Sequence, residues 1–221
     1  MALSYAHNLE MNREGVVITG IGTDVGKTVV SAIVAQALGY DYWKPVQAGD
    51  LDNSDSKKVA ALTKNITILP ERYRLTVPAS PHFAAAHDQL TISPNDFQLP
   101  QSKRPLLVEG AGGLLVPFND QGLVFADLVT LWKLPVIVVS RHYLGSINHT
   151  LLTLEALKSR NADVAGVIFV GEENLATESI ILLKTGVKFI ARVPIAEVVD
   201  VSFVSEQANR IAPYLKSMFH E

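Results

Sequence analysis

The chain has 221 residues, 48% of them hydrophobic and 19% charged, which suits one α/β domain with a sizeable core and argues against disorder. It has no cysteine, so disulfides, thiolate metal sites and a cysteine nucleophile are excluded, and a cytoplasmic setting is compatible. A net charge of −3 offers no basic field to nucleic acid or an anionic membrane. No apolar run approaches the ~18–20 residues that span a bilayer. The opening MALSYAHNLEMNREG lacks a basic head followed by an apolar run, so it is not a secretion signal. Residues 1–14 are expected to be a flexible leader, with Met11 an alternative start, and 15–221 a single domain.

In chain order, GVVITG (15–20) reads as a short buried strand with glycines at its ends. Thr28 to Leu38 reads as a buried helix closed by Gly39. The stretch 66–104 is the least regular. RPLLVEGAGG (104–113) holds a strand ending at Glu109, followed by a glycine-rich turn. LPVIVVS (134–140) is a strand buried on both faces, and a helix runs from near Gly145 to about Arg160. DVAGVIFV (163–170) and GVKFIARVP (186–194) are further strands, with helices over 175–184 and 202–219. Alternating strands and helices predict an α/β fold with a mostly parallel sheet and helices on both faces.

GIGTDVGKTVV (20–30) resembles a phosphate-binding loop but departs from the common spacing, Gly, four residues, then Gly-Lys-Ser/Thr. The first glycine should fall at position 21, which is Ile21; Gly20 is one residue early and Gly22 one late. The segment nonetheless follows a predicted strand and opens a predicted helix, where backbone N–H groups and the helix terminus face an anion together. Lys27 would reach the β- and γ-phosphates and Thr28 would bind Mg²⁺, which makes this a P-loop NTPase-like domain with a longer loop. Read from the residues alone, Glu109 is a carboxylate at a strand's C-terminal end, aimed into the ligand crevice of a parallel sheet; a surface turn acid is the bland alternative. Asp55 reads first as a helix N-terminal acid, and Lys44 as a surface lysine. Asp24 is either a partner for a cationic amine or a turn residue facing solvent.

The loop resembles that of the dethiobiotin synthetase family, and the likeness continues through YWKPVQAGD (42–50), NSDS (53–56), SPH (80–82), LLVEGAGGLLVPF (106–118) and LPVIVV…LGSINHTLLT (134–153), in the family's order. The resemblance implies ATP-dependent carboxylation and ring closure of 7,8-diaminopelargonate with CO₂, with Mg²⁺, in a cytoplasmic homodimer. It makes Thr28, Asp55 and Glu109 the metal ligands. Thr23, Asp24, Lys27 and Lys44 would surround the reacting atoms. Asp24, Val25, Gly26, Lys27, Thr28, Val29, Asp55, Glu109, Gly110, Ala111, Gly112, Val170, Gly171, Pro194, Ile195 and Ala196 would hold the nucleotide. Lys44, Ala48, Gly112 and the segment Leu144, Gly145, Ser146, Ile147 and Asn148 would meet the substrate, the last as a helix start suited to its carboxylate tail. An ordinary strand-to-helix turn is the bland reading of that segment.

Two departures stand out. Ala48 occupies a position where the family usually has Ser or Thr. Val170 and Gly171 replace an Asn-Asp pair that reads adenine, so weaker base discrimination is expected, with several nucleoside triphosphates supporting turnover. Glu197 or Asp200 would hold the ribose. His7, His82, His87, His142, His149 and His220 form no metal spacing, and the aromatics do not interleave with basic residues. A switch ATPase of the chromosome-partitioning type is a rival of the same fold, but Ile21-Gly22-Thr23 lacks the second lysine such loops carry. An amidotransferase-linked synthetase of the cobyrinate diamide type needs a cysteine that the chain lacks. A nucleotide-binding domain without catalysis is the bland reading, and Lys27, Thr28, Lys44 and Glu109 together argue against it.

Overall fold

The computed structural model describes residues 15–219; the expected leader 1–14, with His7 and Met11, lies outside the described residues, as does His220. The chain runs β1 (Gly15–Gly20), α1 (Lys27–Leu38), β2 (Asp41–Trp43), β3 (Val46–Ala48), α2 (Asp55–Leu62), β4 (Ile68–Leu69), β5 (Tyr73–Leu75), α3 (Pro81–His87), β6 (Leu106–Glu109), α4 (Phe125–Trp132), β7 (Val136–Arg141), α5 (Ser146–Lys158), β8 (Val164–Val170), α6 (Leu175–Thr185), β9 (Phe189–Val193) and α7 (Val201–Phe219).

Seven strands form one parallel sheet in the order β4-β2-β6-β1-β7-β8-β9. The central strands are apolar runs because both their faces are covered; every residue of β1 is buried. The connection β1–α1–β2 moves toward the β4 edge, whereas β7–α5–β8 and β8–α6–β9 move toward the β9 edge. Right-handed crossovers in opposite directions put α1 on one face and α5 and α6 on the other. The direction of winding reverses at β1, so the crevice beyond its carboxyl end is where a doubly wound sheet takes its ligand. Helix α1 is buried nearly all round and ends at Gly39, whose left-handed φ of 72° lets its N–H return to the Ala35 carbonyl. Among the described residues no helix is long and apolar enough to cross a membrane.

The expected strands and helices are present with ends displaced by at most three residues, the usual uncertainty of element boundaries. The sequence reading left β2 and α4 unassigned and treated 66–104 as irregular. The structure places β4, β5 and α3 in that stretch, and pairs β5 with β3 in a separate two-stranded parallel sheet. Two- and three-residue strands carry no readable alternation. What holds this part is a ladder of rings: Tyr73–Phe97 at 5.8 Å between centroids, Phe97–Phe118 at 5.6 Å, Phe118–Phe125 at 5.9 Å, Phe125–Trp132 at 6.0 Å and Trp132–Trp43 at 5.9 Å. The ladder ends under the site, because Phe125 packs on Gly110, where a Cβ would stand 2.5 Å from the ring.

Candidate active site

The loop from β1 to α1 explains its own odd spacing. Ile21 and Val25 are 8% and 2% exposed, so the side chain standing where a glycine was expected is an anchor into the core. Between these anchors Thr23 and Asp24 are exposed, and Asp24 takes a left-handed φ of 56°, a conformation that costs a non-glycine residue about 1 kcal/mol. Gly26, at φ 93°, turns the chain into α1 in a left-handed conformation that disfavours any side chain, although a Cβ there would meet Val170 only at an ordinary 3.4 Å. Lys27 folds back over the loop, its Nζ donating to the Gly22 carbonyl at 2.7 Å. Burial, and next the like charge of Lys44, lower the Lys27 pKa to about 8; a bound anion would oppose both effects.

Beside the loop lies the charged centre. Glu109 ends β6 and is 0% exposed. Its Oε1 accepts from the Thr28 hydroxyl at 3.0 Å and from Lys44 Nζ at 3.1 Å, and its Oε2 accepts from the Tyr42 hydroxyl at 2.9 Å. Lys44 Nζ also reaches Asp55 Oδ2 at 2.6 Å and the Gly110 carbonyl at 3.1 Å. Lys44 is 4% exposed, which overturns the surface-lysine reading; the buried Glu109 likewise overturns the turn-acid reading. Burial works against charge on Lys44, but Glu109 and Asp55 outweigh it and raise its pKa. Burial also works against charge on Asp55, but Lys44 and the Thr28 hydroxyl hold its carboxyl below the usual range. Burial and the Glu109 carboxylate push Tyr42 well above its ordinary value, so it serves as a neutral donor.

Asp55 is the first residue of α2, which Ser54 caps by accepting from the Lys57 N–H. Asp55 therefore starts a helix, as the residue-level reading expected, and from that position its carboxylate also reaches Lys44. Its backbone N–H donates to Gln47 Oε1 at 3.1 Å, and Gln47 Nε2 is fixed by the Gly49 carbonyl at 2.9 Å.

Thr23, Asp24, Gly26, Lys27, Thr28, Val29, Lys44, Asp55, Glu109 and Gly112 converge on one cleft of about 350 Å³. Hydroxyl and carboxylate oxygens of Thr28, Asp55 and Glu109 fit Mg²⁺, which prefers hard oxygen ligands and leaves positions for phosphate and water. The Lys44 ammonium bridging the two carboxylates is itself a sign that this spot favours a cation. Among the described residues, no three His, Asp or Glu side chains group as a metal cage of their own.

Other expected residues do not line this cleft. Ala48 sits on β3, opposite Leu75. Val170 ends β8, and Gly171 donates its N–H to the Val193 carbonyl at 3.0 Å. Pro194 and Ile195 follow β9 and are exposed; Ala196 is half-buried. Leu144 is fully exposed, Gly145 (φ 102°) precedes α5, Ser146 is buried, and Ile147 and Asn148 are exposed on the first turn. Asp200 caps α7 by accepting from the Phe203 N–H at 2.8 Å, and Glu197 is exposed in the bend before it.

Sequence reasoning missed Tyr42, Gln47, Lys58 and Arg141. Tyr42 and Gln47 flank Lys44 in YWKPVQ, and the one available signal was a polar residue on each side within a buried stretch. Arg141 ends β7, where a charged residue closing an apolar strand was visible but unremarked.

A sheet whose winding reverses at a strand–loop–helix anion cradle, with a lysine and paired acids at its rim, defines a P-loop NTPase-like protein. Its fold is similar to that of a ParA family ATPase from Chlorobium tepidum TLS, with a TM-score of 0.59 over 92% of this chain and 99% of that one at 14% identity; so distant a likeness speaks for the fold alone. A family profile described as AAA domain matches residues 14–201. The ATP-dependent dethiobiotin synthetase of Christiangramia forsetii is 50% identical over 195 residues, 87% of this chain and 93% of the relative. That of Afipia carboxidovorans is 50% identical over 181 residues, 80% and 86% of the two chains. The chain belongs to the dethiobiotin synthetase family.

Proposed function

We propose that the protein is the ATP-dependent ligase of biotin biosynthesis that converts 7,8-diaminopelargonate and CO₂ into dethiobiotin, releasing ADP and phosphate. One substrate amine captures CO₂ as a carbamate. A carbamate oxygen attacks the γ-phosphate of ATP to give a carbamic–phosphoric anhydride, and the second amine closes the cyclic urea and expels phosphate. An unactivated carbamate is a poor acylating agent; phosphorylation supplies its leaving group. The enzyme's work is positioning and charge neutralisation. The observation that carries this reading is the buried Lys44 ammonium, held at the rim of the phosphate loop by Asp55 and Glu109. From there its charge serves both the carbamate and the moving phosphoryl group.

Thr28, Asp55 and Glu109 would hold Mg²⁺, which supplies charge to the phosphates; Lys27 and the loop N–H groups bind the phosphates, and Thr23 and Asp24 face the diamine. Val170, Gly171, Pro194, Ile195 and Ala196 border the base. The N-terminus of α5, Leu144 to Asn148, meets the substrate carboxylate across a homodimer, a reading supported by the exposure of Leu144 and Ile147. Residues 15–221 act as one synthetase domain behind a leader, in the cytoplasm. The test is ADP release from Mg²⁺-ATP with the diamine and bicarbonate each present or absent. Release that requires both, with labelled carbonate retained in an acid-stable product, is expected. Hydrolysis independent of the diamine would return the protein to the switch ATPases.

A further inference from the structure

Lys27, Lys44, Lys58 and Arg141 are the cations that line the cleft, and they differ in what engages them. Lys44 is held by Asp55 and Glu109, and Lys58 by Asp50 at 3.0 Å. Among the described residues the hydrogen bonds of Lys27 and Arg141 go to backbone carbonyls: Lys27 reaches Gly22, and Arg141 Nη1 donates to the Asp24 carbonyl at 3.2 Å. Among the described residues no carboxylate pairs with Arg141. A guanidinium carries five N–H donors in a fixed fork, so the Asp24 contact leaves most of the fork uncommitted. The residue it holds is the one strained at φ 56° within the loop, which fixes the guanidinium against the phosphate cradle.

Topology assigns its partner. Strand β1 is flanked by β6 on one side and β7 on the other. Glu109 ends β6 and Arg141 ends β7, so carboxylate and guanidinium stand on opposite flanks of the loop. Thr28, Asp55 and Glu109 would hold a metal that supplies charge to the terminal phosphates on the β6 flank, and Lys27 would reach the β- and γ-phosphates. The anion left for the opposite flank is the α-phosphate. We propose that Arg141 binds the nucleotide through its α-phosphate, adding on the β7 side to the positive charge that Lys27 and a metal held by Thr28, Asp55 and Glu109 would supply. This rests on the nucleotide-binding reading above, and concerns a residue that reading does not use.

The test is calorimetric binding of Mg²⁺-ADP and Mg²⁺-ATP to the wild-type protein, Arg141→Met, Arg141→Lys and Lys27→Ala. Arg141→Met should weaken ADP and ATP alike by roughly tenfold or more, as loss of a hydrogen bond to a charged group does. Arg141→Lys should recover that loss only in part, because a point charge does not replace the fork. Unchanged affinity in Arg141→Met, beside lost affinity in Lys27→Ala, overturns the proposal and leaves the nucleotide reading standing. Weakened ATP with unchanged ADP overturns it in favour of a γ-phosphate contact. Full recovery of affinity in Arg141→Lys reduces Arg141 to a brace for Asp24 and also overturns it. Wild-type protein that binds neither nucleotide removes the reading beneath it.

Discussion

The β6 flank of the loop and the far ends of β8 and β9 are built in opposite ways. On the β6 side Lys44, Glu109, Asp55, Thr28 and Tyr42 are joined by direct hydrogen bonds, and the carboxylate at their centre has no exposure. On the β8–β9 side Val170, Gly171, Pro194, Ile195 and Ala196 offer apolar surface and backbone, and Ile195 is 57% exposed. That side is secured from behind. The buried Glu178 on α6 accepts from Arg192 Nε at 2.8 Å and Nη2 at 2.6 Å and pairs with His142 at 2.9 Å, drawing together the ends of β7 and β9. The contrast teaches that the molecule gathers its buried charges at the mouth of the β1–α1 loop, and leaves the ends of β8 and β9 apolar on the outside with their ion pairs behind.

The largest effect should follow from breaking the charged centre. Lys44→Met should lower kcat by about a hundredfold or more, on the scale of removing one transition-state donor. It should also cost about 3–5 kcal/mol of stability, because Glu109 and Asp55 lose their buried counter-charge. Steady-state kinetics and urea denaturation check the two numbers; a variant with near-normal kcat would deny Lys44 its role.

A smaller effect is expected at Glu178. Burial raises its carboxyl pKa, but hydrogen bonds from Arg192 and His142 outweigh that and bring it below the ordinary 4.5. The lowered value means that the unfolded chain binds more protons than the folded one as the pH falls through this range. The stabilisation is therefore fully present above about pH 4.5 and is lost as the pH falls through the folded-state pKa. Glu178→Gln should be about 2 kcal/mol less stable at neutral pH, and the gap to the wild type should narrow below pH 4.5. A gap that stayed constant with pH would show that the carboxylate's charge is not what secures this side.

The smallest effect concerns the base. With Val170 and Gly171 in place of an amide reader, KM values for ATP, GTP and CTP should lie within about tenfold, since no base-specific hydrogen bond is left unpaired by the wrong nucleotide. A large preference for ATP in steady-state assays would mean that some other group on the β9 side reads the ring.

The sequence showed the parallel sheet because its strands are long apolar runs, and showed the loop because Gly26, Lys27 and Thr28 sit between a strand and a helix. Glu109 was readable from its place at a strand end. Lys44 and Asp55 were not readable from spacing: β2 and β3 are three residues each, too short for a pattern, and the two side chains meet only when β2, α2 and β6 assemble. Their roles came from the resemblance alone. Arg141 was passed over because one charged residue after an apolar strand looks like an ordinary strand end until Asp24 is seen beside it.

The ladder of rings has an optical consequence. Both of the chain's tryptophans belong to it, with Trp43 and Trp132 buried and edge to face. Their emission therefore senses the β2–α4 half of the molecule, next to the charged centre, and is silent about the half built on β8 and β9. A fluorescence melting curve of this protein reports the fate of its chemical side, whereas circular dichroism averages over both.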